Sequence, residues 1–132
     1  MKTRVACDAS ALVALVLDSG PDGQWAARAF AGAQLVAPSL AVFEAANVIR
    51  RHELAALVSA DSAVQAHADL LDLAIEYWPY ELLAPRAWQL RQNLSIYDGC
   101  YVALAEFTES TLVTLDQRIS RAPGLRCSVA TP

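Results

Sequence analysis

The chain has one lysine, Lys2, among its ten basic residues, and only three cysteines. No apolar run is long enough to cross a bilayer. "MKTR" followed by "ALVALVL" imitates a signal peptide, but Asp8 interrupts the approach, Asp18 closes the run, and no small-residue cleavage pattern follows. The expectation is a cytoplasmic protein with no membrane segment. Cys7, Cys100 and Cys127 are isolated, odd in number and lack CxxC spacing. This argues against a disulfide framework and predicts buried reduced thiols. His52 and His67 do not stand at zinc-ligand spacing and read as helix-surface residues. Charge is scarce too. Charged residues make up 18% of the chain, with a net charge of −4, which excludes a surface that attracts polyanions everywhere.

What is abundant is apolar: 55% of the 132 residues, much of it alanine, as closely packed helices favour. That length suits one domain, residues 1–132, with no repeat, linker or low-complexity segment. So high an apolar content also hints at a buried interface such as a homodimer.

Strand-like and helix-like segments alternate along the chain. "RVACD" and "AQLVAPS" read as strands, and "TLVTLD" and "LRCSVATP" as later ones, the last at an edge. "IEYWPY" is a short strand stopped by Pro79. Between them lie helical stretches: "SALVALVLDSG", "DGQWAARAFAG", "LAVFEAANVIRRHEL", "SADSAVQAHADLLDLA", "ELLAPRAWQLRQNL" with a break or a new first turn expected at Pro85, "SIYDGCYVALAEFTES" and "QRISRA". The pattern predicts an α/β fold, a mostly parallel twisted sheet flanked by helices.

Two of these strands end on a carboxylate, Asp8 and Asp116. Ligands of open parallel sheets bind outside the carboxyl ends of the strands, so neighbouring strands would bring both acids to one rim. Each also fits as a helix N-cap. Glu44 stands in mid-helix on a face shared with Leu40, Asn47 and Val48, where an unpaired carboxylate is expensive. Asp98 lies near a helix start, where Ser95 to Asp98 resembles a capping box, and the following Gly99 suggests close approach of another group. Convergence of the four would be costly. Each pair at about 5 Å repels by roughly 3 kcal/mol at an effective dielectric of about 20, unless protons or a cation neutralise it. Oxygen ligands select a hard cation, Mg²⁺, with Mn²⁺ able to substitute.

Asp8-Ala9-Ser10, Glu44 with Asn47, "SIYDGCYVALAE" and "LVTLDQR", in this order and at these separations, resemble the PIN-domain nucleases. Among these they are similar to the VapC toxins of bacterial toxin–antitoxin pairs, over nearly the whole chain. The resemblance implies a single PIN-like domain, Mg²⁺-dependent cleavage of RNA, and inhibition by a cognate antitoxin inserted in the active groove. It implies Asp8, Glu44, Asp98 and Asp116 as an acidic quartet, with Asp8, Asp98 and Asp116 as metal ligands and the first two the direct ones. Ser10, Asn47 and Thr114 would form the polar shell that orients them. Some relatives carry a further acid after the last motif aspartate; Gln117 and Arg118 stand there instead. An RNA substrate would need a basic rim, for which Arg50, Arg51, Arg86, Arg91, Arg118 and Arg121 are candidates.

Rival readings fare worse. A phospho-acceptor receiver domain needs a lysine late in the chain. A haloacid dehalogenase-type phosphatase needs a second aspartate two residues after Asp8, where Ser10 stands, and a serine hydrolase needs a GxSxG elbow. A PIN-like module that binds protein or RNA without cutting is the alternative that retains the motif acids.

Overall fold

In the computed structural model, which describes residues 2–132, five parallel strands form one sheet in the order β3-β2-β1-β4-β5. The strands are β1 (Arg4–Cys7), β2 (Gln34–Pro38), β3 (Ile75–Trp78), β4 (Thr111–Val113) and β5 (Val129–Ala130). Between them run α1 (Ala9–Leu17), α2 (Pro21–Phe30), α3 (Leu40–Leu54), α4 (Ala60–Asp72), α5 (Tyr80–Gln89), α6 (Ile96–Phe107) and α7 (Gln117–Arg121). This is the α/β architecture expected from the alternating pattern. The central β1 pairs with β2 on one side and β4 on the other, Val5 standing opposite both Leu35 and Thr111. The chain therefore reverses its direction of winding at β1, which opens a crevice at the carboxyl ends of β1 and β4.

The central strands are apolar because both faces are covered. Ala6, Cys7, Val36, Ala37 and Leu112 are almost fully buried. Helices α1, α3 and α4 pack on one another, while α5 packs on α6, which lies across β1, β2 and β4. Right-handed crossovers put these two groups on opposite faces of the sheet. Alanines at the contacts, among them Ala11, Ala41, Ala45, Ala87, Ala103 and Ala105, let the helices approach closely.

Several boundaries differ from the sequence reading. β1 ends at Cys7, leaving Asp8 as the cap of α1, and β4 ends at Val113, leaving Thr114 and Leu115 in the turn beyond it. The edge strand β5 keeps only Val129 and Ala130, because little of it faces the core. Pro85 does not break its helix. α5 runs continuously through it, held by buried Leu83 and Ala87 against α6, which offsets the roughly 3 kcal/mol that an interior proline costs. Cys7 and Cys100 are buried free thiols as expected, whereas Cys127 is only half-buried. Burial pushes the Cys100 thiol up to about 11, so it stays protonated at neutral pH. Among the described residues no helix is long and apolar enough to cross a membrane.

Two glycines mark close approaches. Gly99 is the contact that brings α6 onto α5: a Cβ there would lie 3.2 Å from the Ala87 carbonyl oxygen. Gly23 is tighter, since a Cβ would stand 1.6 Å from the Asp18 carbonyl oxygen and 2.8 Å from that of Ala14. No side chain fits between α2 and the end of α1. Gly23→Ala is therefore expected to destabilise the fold by about 1–3 kcal/mol or more, lowering the thermal midpoint by at least roughly 3 °C. An unchanged midpoint would contradict this packing.

Candidate active site at the carboxyl ends of the strands

Asp8 is the first residue beyond β1, buried to 5% exposure. It caps α1 by accepting from the Ala11 N–H at 3.0 Å, and the same oxygen, Oδ1, accepts from the Ser10 hydroxyl at 2.6 Å. Its other oxygen accepts from the Thr114 hydroxyl, which comes from the turn after β4. Ser10 Oγ and Thr114 Oγ1 are both also acceptors. The Leu115 N–H donates to Ser10 at 3.0 Å, and the Asp116 N–H donates to Thr114 at 2.9 Å. Two hydroxyls thus fasten the ends of β1 and β4 to one carboxylate and fix its orientation. Both readings of Asp8 hold together, because it is an N-cap and a rim carboxylate.

Asp116 is likewise the N-cap of α7, accepting from the Arg118 N–H at 3.0 Å. Its carboxylate is also gripped by the Arg118 guanidinium, Nε to Oδ1 at 3.0 Å and Nη2 to Oδ2 at 2.6 Å. Asp98 lies in the first turn of α6, whose cap Ser95 accepts from the Asp98 N–H at 3.1 Å, the predicted capping contact. Because α6 feeds β4 from the opposite end of the sheet, its start lies at the same rim. Glu44 is in the second turn of α3, which leaves that rim after β2. Its Oε1 accepts from the buried Tyr101 hydroxyl at 2.7 Å, a bond that joins the helices of the two faces across the strand ends.

The electrostatics tie these acids together. Burial raises the Asp8 carboxyl above its ordinary value; its hydrogen bonds from Ser10, Thr114 and Ala11 oppose this, and the Asp98 charge adds to it. Glu44 is raised first by burial, against the lowering effect of Tyr101, and further by Asp98 and Asp8. Asp98 is raised by burial and by Asp116, while Arg118 pulls it down. Asp116 alone is lowered, through its hydrogen bonds and ion pair with Arg118. The donor set is all oxygen and mutually repelling, as suits a hard cation. As the side chains stand, however, no three acidic, histidine or cysteine groups among the described residues are close enough to hold a metal ion.

The other predicted residues divide. Ser10 and Thr114 lie in the network around Asp8. Asn47 does not: its side chain is exposed on α3 and makes no hydrogen bond among the described residues. Arg118 is at the site. Arg91 lies over the Trp88 ring, 4.6 Å from its centroid, in the segment leading into α6. Arg50 and Arg51 are exposed further along α3, roughly 9 Å of helix beyond Glu44. Arg121 donates to Gln117 at 3.3 Å, its one side-chain hydrogen bond among the described residues. Arg86 departs most from the rim reading. It is largely buried in an ion pair with Glu106, Nε to Oε1 at 2.6 Å, and donates to the Gly124 carbonyl at 2.8 Å. Glu106 is eight residues along α6 from Asp98, about 12 Å of helix, so Arg86 braces the far end of the sheet. Tyr101 follows Asp98 by three residues on α6. Its partnership with Glu44 spans 57 residues, and no local pattern reveals it.

The family model described as PIN domain matches residues 5–125. The chain belongs to the PIN-domain family. Ribonuclease VapC12 of Mycobacterium tuberculosis is 34% identical over 120 residues, which cover 91% of this chain and 92% of the relative. Ribonuclease VapC9 of the same organism is 36% identical over 125 residues, 95% of each chain. Within the family this is therefore a VapC-like PIN ribonuclease. Two solved structures share the fold at low identity. M. tuberculosis VapC20, a Sarcin-Ricin loop cleaving toxin, matches with a TM-score of 0.67 at 17% identity, covering 89% of this chain and 93% of that one. VapBC2 from Rickettsia felis, bound to a DNA fragment from its promoter, gives 0.69 at 12% identity over 98% of each.

The raised acids give this PIN domain a signed pH dependence. Glu44 loses its proton in the unfolded chain near its ordinary value, about 4.3, but only at higher pH when folded. Its contribution to stability is therefore complete at low pH and lost as pH rises through the folded value. Asp116 works oppositely, contributing above the ordinary carboxylate value and losing that as pH falls through its lowered one. Glu44→Gln keeps an acceptor for Tyr101 and removes the charge. In EDTA at about pH 7.5 it is expected to raise the thermal midpoint by about 2 °C, the difference closing towards about pH 4. An equal or lower midpoint at the higher pH would show that the Glu44 charge is not destabilising.

Proposed function

We propose that this protein is a divalent-metal-dependent endoribonuclease that acts as the toxin of a toxin–antitoxin pair. It hydrolyses RNA phosphodiester bonds at Asp8, Glu44, Asp98 and Asp116. The observation that carries this reading is the fastening of a buried Asp8 by Ser10 and Thr114 at the β1–β4 crevice, with Asp98 and Glu44 in electrostatic contact with it. An apolar strand end has no structural need of three mutually repelling acids.

Asp8 and Asp98, with Asp116, are the groups that would hold the cation, Mg²⁺ or in its place Mn²⁺. Bound there, it supplies a water of lowered pKa and offsets charge on the phosphoryl oxygens. Ser10 and Thr114 keep the Asp8 carboxylate in one rotamer, so little ordering remains to be done on loading. Tyr101 does the same for Glu44, which with Asp116 completes the shell or positions the attacking water. Attack by water leaves a 5′-phosphate and a 3′-hydroxyl and requires no RNA 2′-hydroxyl. Arg118, Arg91, Arg121, Arg50 and Arg51 are the exposed cations available to the RNA backbone.

The partner would be an antitoxin, as the similarity to VapC ribonucleases and to VapBC2 of R. felis supports. An open groove of about 400 Å³ beside Ser10 and Leu115, lined by Val13, Leu17, Val48 and Val58 with Asp18, Asp22 and His52, offers it a mainly apolar seat. A homodimer fits the exposed apolar side chains Phe43, Leu54, Leu57, Trp88 and Phe107.

The test is cleavage of end-labelled total RNA with Mg²⁺, with EDTA and with Asp98→Asn. Discrete fragments are expected only with metal and the native acid. Asp8→Asn should also abolish cleavage while leaving a folded protein, and Thr114→Val should slow it by about 10–100-fold. Cleavage that survives EDTA or Asp98→Asn would refute the metal site. A folded protein that binds RNA without cutting would instead support the non-catalytic binding module.

A further inference from the structure

The geometry points to a second role for Arg118: in the metal-free protein it is a positioning residue that occupies the Asp116 carboxylate in the place of a cation, and it passes to an RNA phosphate when a cation takes Asp116. This inference rests on the proposed function. Both Asp116 oxygens are engaged on one side by the fork of Nε and Nη2, at 3.0 and 2.6 Å, and Oδ1 also takes the Arg118 N–H. A cation that takes both oxygens must displace the guanidinium. The acids around it explain why the cation would win. Among the described residues Arg118 is the one cation in ion-pair contact with an acid of this rim, a single positive charge beside several carboxylates, and a divalent ion neutralises them better.

The displaced group is suited to what comes next. Arg118 has 83% of its side chain exposed against 24% for Asp116, so it can swing out without unpacking the core. Its planar fork matches a phosphate as well as it matches a carboxylate. The buried Arg86–Glu106 pair shows the contrast, since both partners there are largely enclosed and Arg86 has a third bond to the Gly124 carbonyl. That pair is structural. The Asp116–Arg118 pair is exposed, and exposed pairs hold weakly enough to be exchanged.

Isothermal titration of the RNA-free protein with Mg²⁺ alone tests the first half. Arg118→Ala is expected to tighten Mg²⁺ binding by about three- to tenfold. The gain should disappear in an Asp116→Asn background, where there is no carboxylate to hold back. Equal affinity in wild type and Arg118→Ala, or a gain that persists with Asp116→Asn, overturns the hold on Asp116 and leaves the nuclease reading standing. Absence of Mg²⁺ binding in both proteins overturns both. The second half is read from binding of a cleavage-resistant phosphorothioate-linked oligoribonucleotide in Mg²⁺ across a salt series. Losing one phosphate contact should reduce the slope of log affinity against log salt by about 0.7 in Arg118→Ala, and Arg118→Lys should restore that slope without restoring the bidentate grip. An unchanged slope in Arg118→Ala overturns the transfer to phosphate.

Discussion

A buried aspartate that cannot be left unpaired organises this molecule. Asp8 lies in almost complete burial at the end of the central strand, where an unsatisfied carboxylate would be prohibitively expensive. Its oxygens are satisfied by the Ala11 N–H and by two hydroxyls, Ser10 from its own helix and Thr114 from the turn after β4. Those hydroxyls in turn accept the Leu115 and Asp116 N–H groups. The contact therefore ties β1 to β4 beyond their ladder, sets the path of the chain into α7, and delivers Asp116 to the rim. A change at Asp8 touches all three.

The same rim shows a division of labour between fold and charge. Helices α3 and α6 both start at it, on opposite faces of the sheet, so Glu44 and Asp98 are brought in from the two sides, and Tyr101 of α6 reaches across to hold Glu44. Burial and mutual repulsion then raise three of the four acids above the ordinary carboxylate value. Stability given up at such a position is the usual accompaniment of a site built for a charged ligand. Asp116 escapes because Arg118 neutralises it. The arginine two residues after Asp116 thus bears on the charge balance of the rim.

Much of this was legible in the sequence, for identifiable reasons. The alternation of short β-branched or apolar runs with alanine-rich helical stretches gave the parallel α/β sheet, since both faces of every central strand had to be covered. Asp8, Asp98 and Asp116 stood out because they follow strands or open helices, positions whose chemistry is local, and Gly99 announced the approach of α5 that a side chain there would obstruct. Less local properties were misjudged. Pro85 looked like a break because propensity speaks only of the backbone, whereas packing on α6 carries the helix through it. Asn47, a supporting group only in what the resemblance implies, is exposed on α3.

The order of residues by itself determined which segments become strands and helices and which acids are available at their ends, because capping, periodicity and turn chemistry act over a few residues. Only the tertiary structure decided which groups meet. Ser10 is separated from the Leu115 N–H by 105 residues, Tyr101 from Glu44 by 57, and Arg86 from the Gly124 carbonyl by 38. Such pairings depend on strand order and on the face each helix takes, which are set by burial of the whole core and leave no trace in any short stretch. That is why one arginine, Arg86, became a brace for the fold and another, Arg118, a partner of the site.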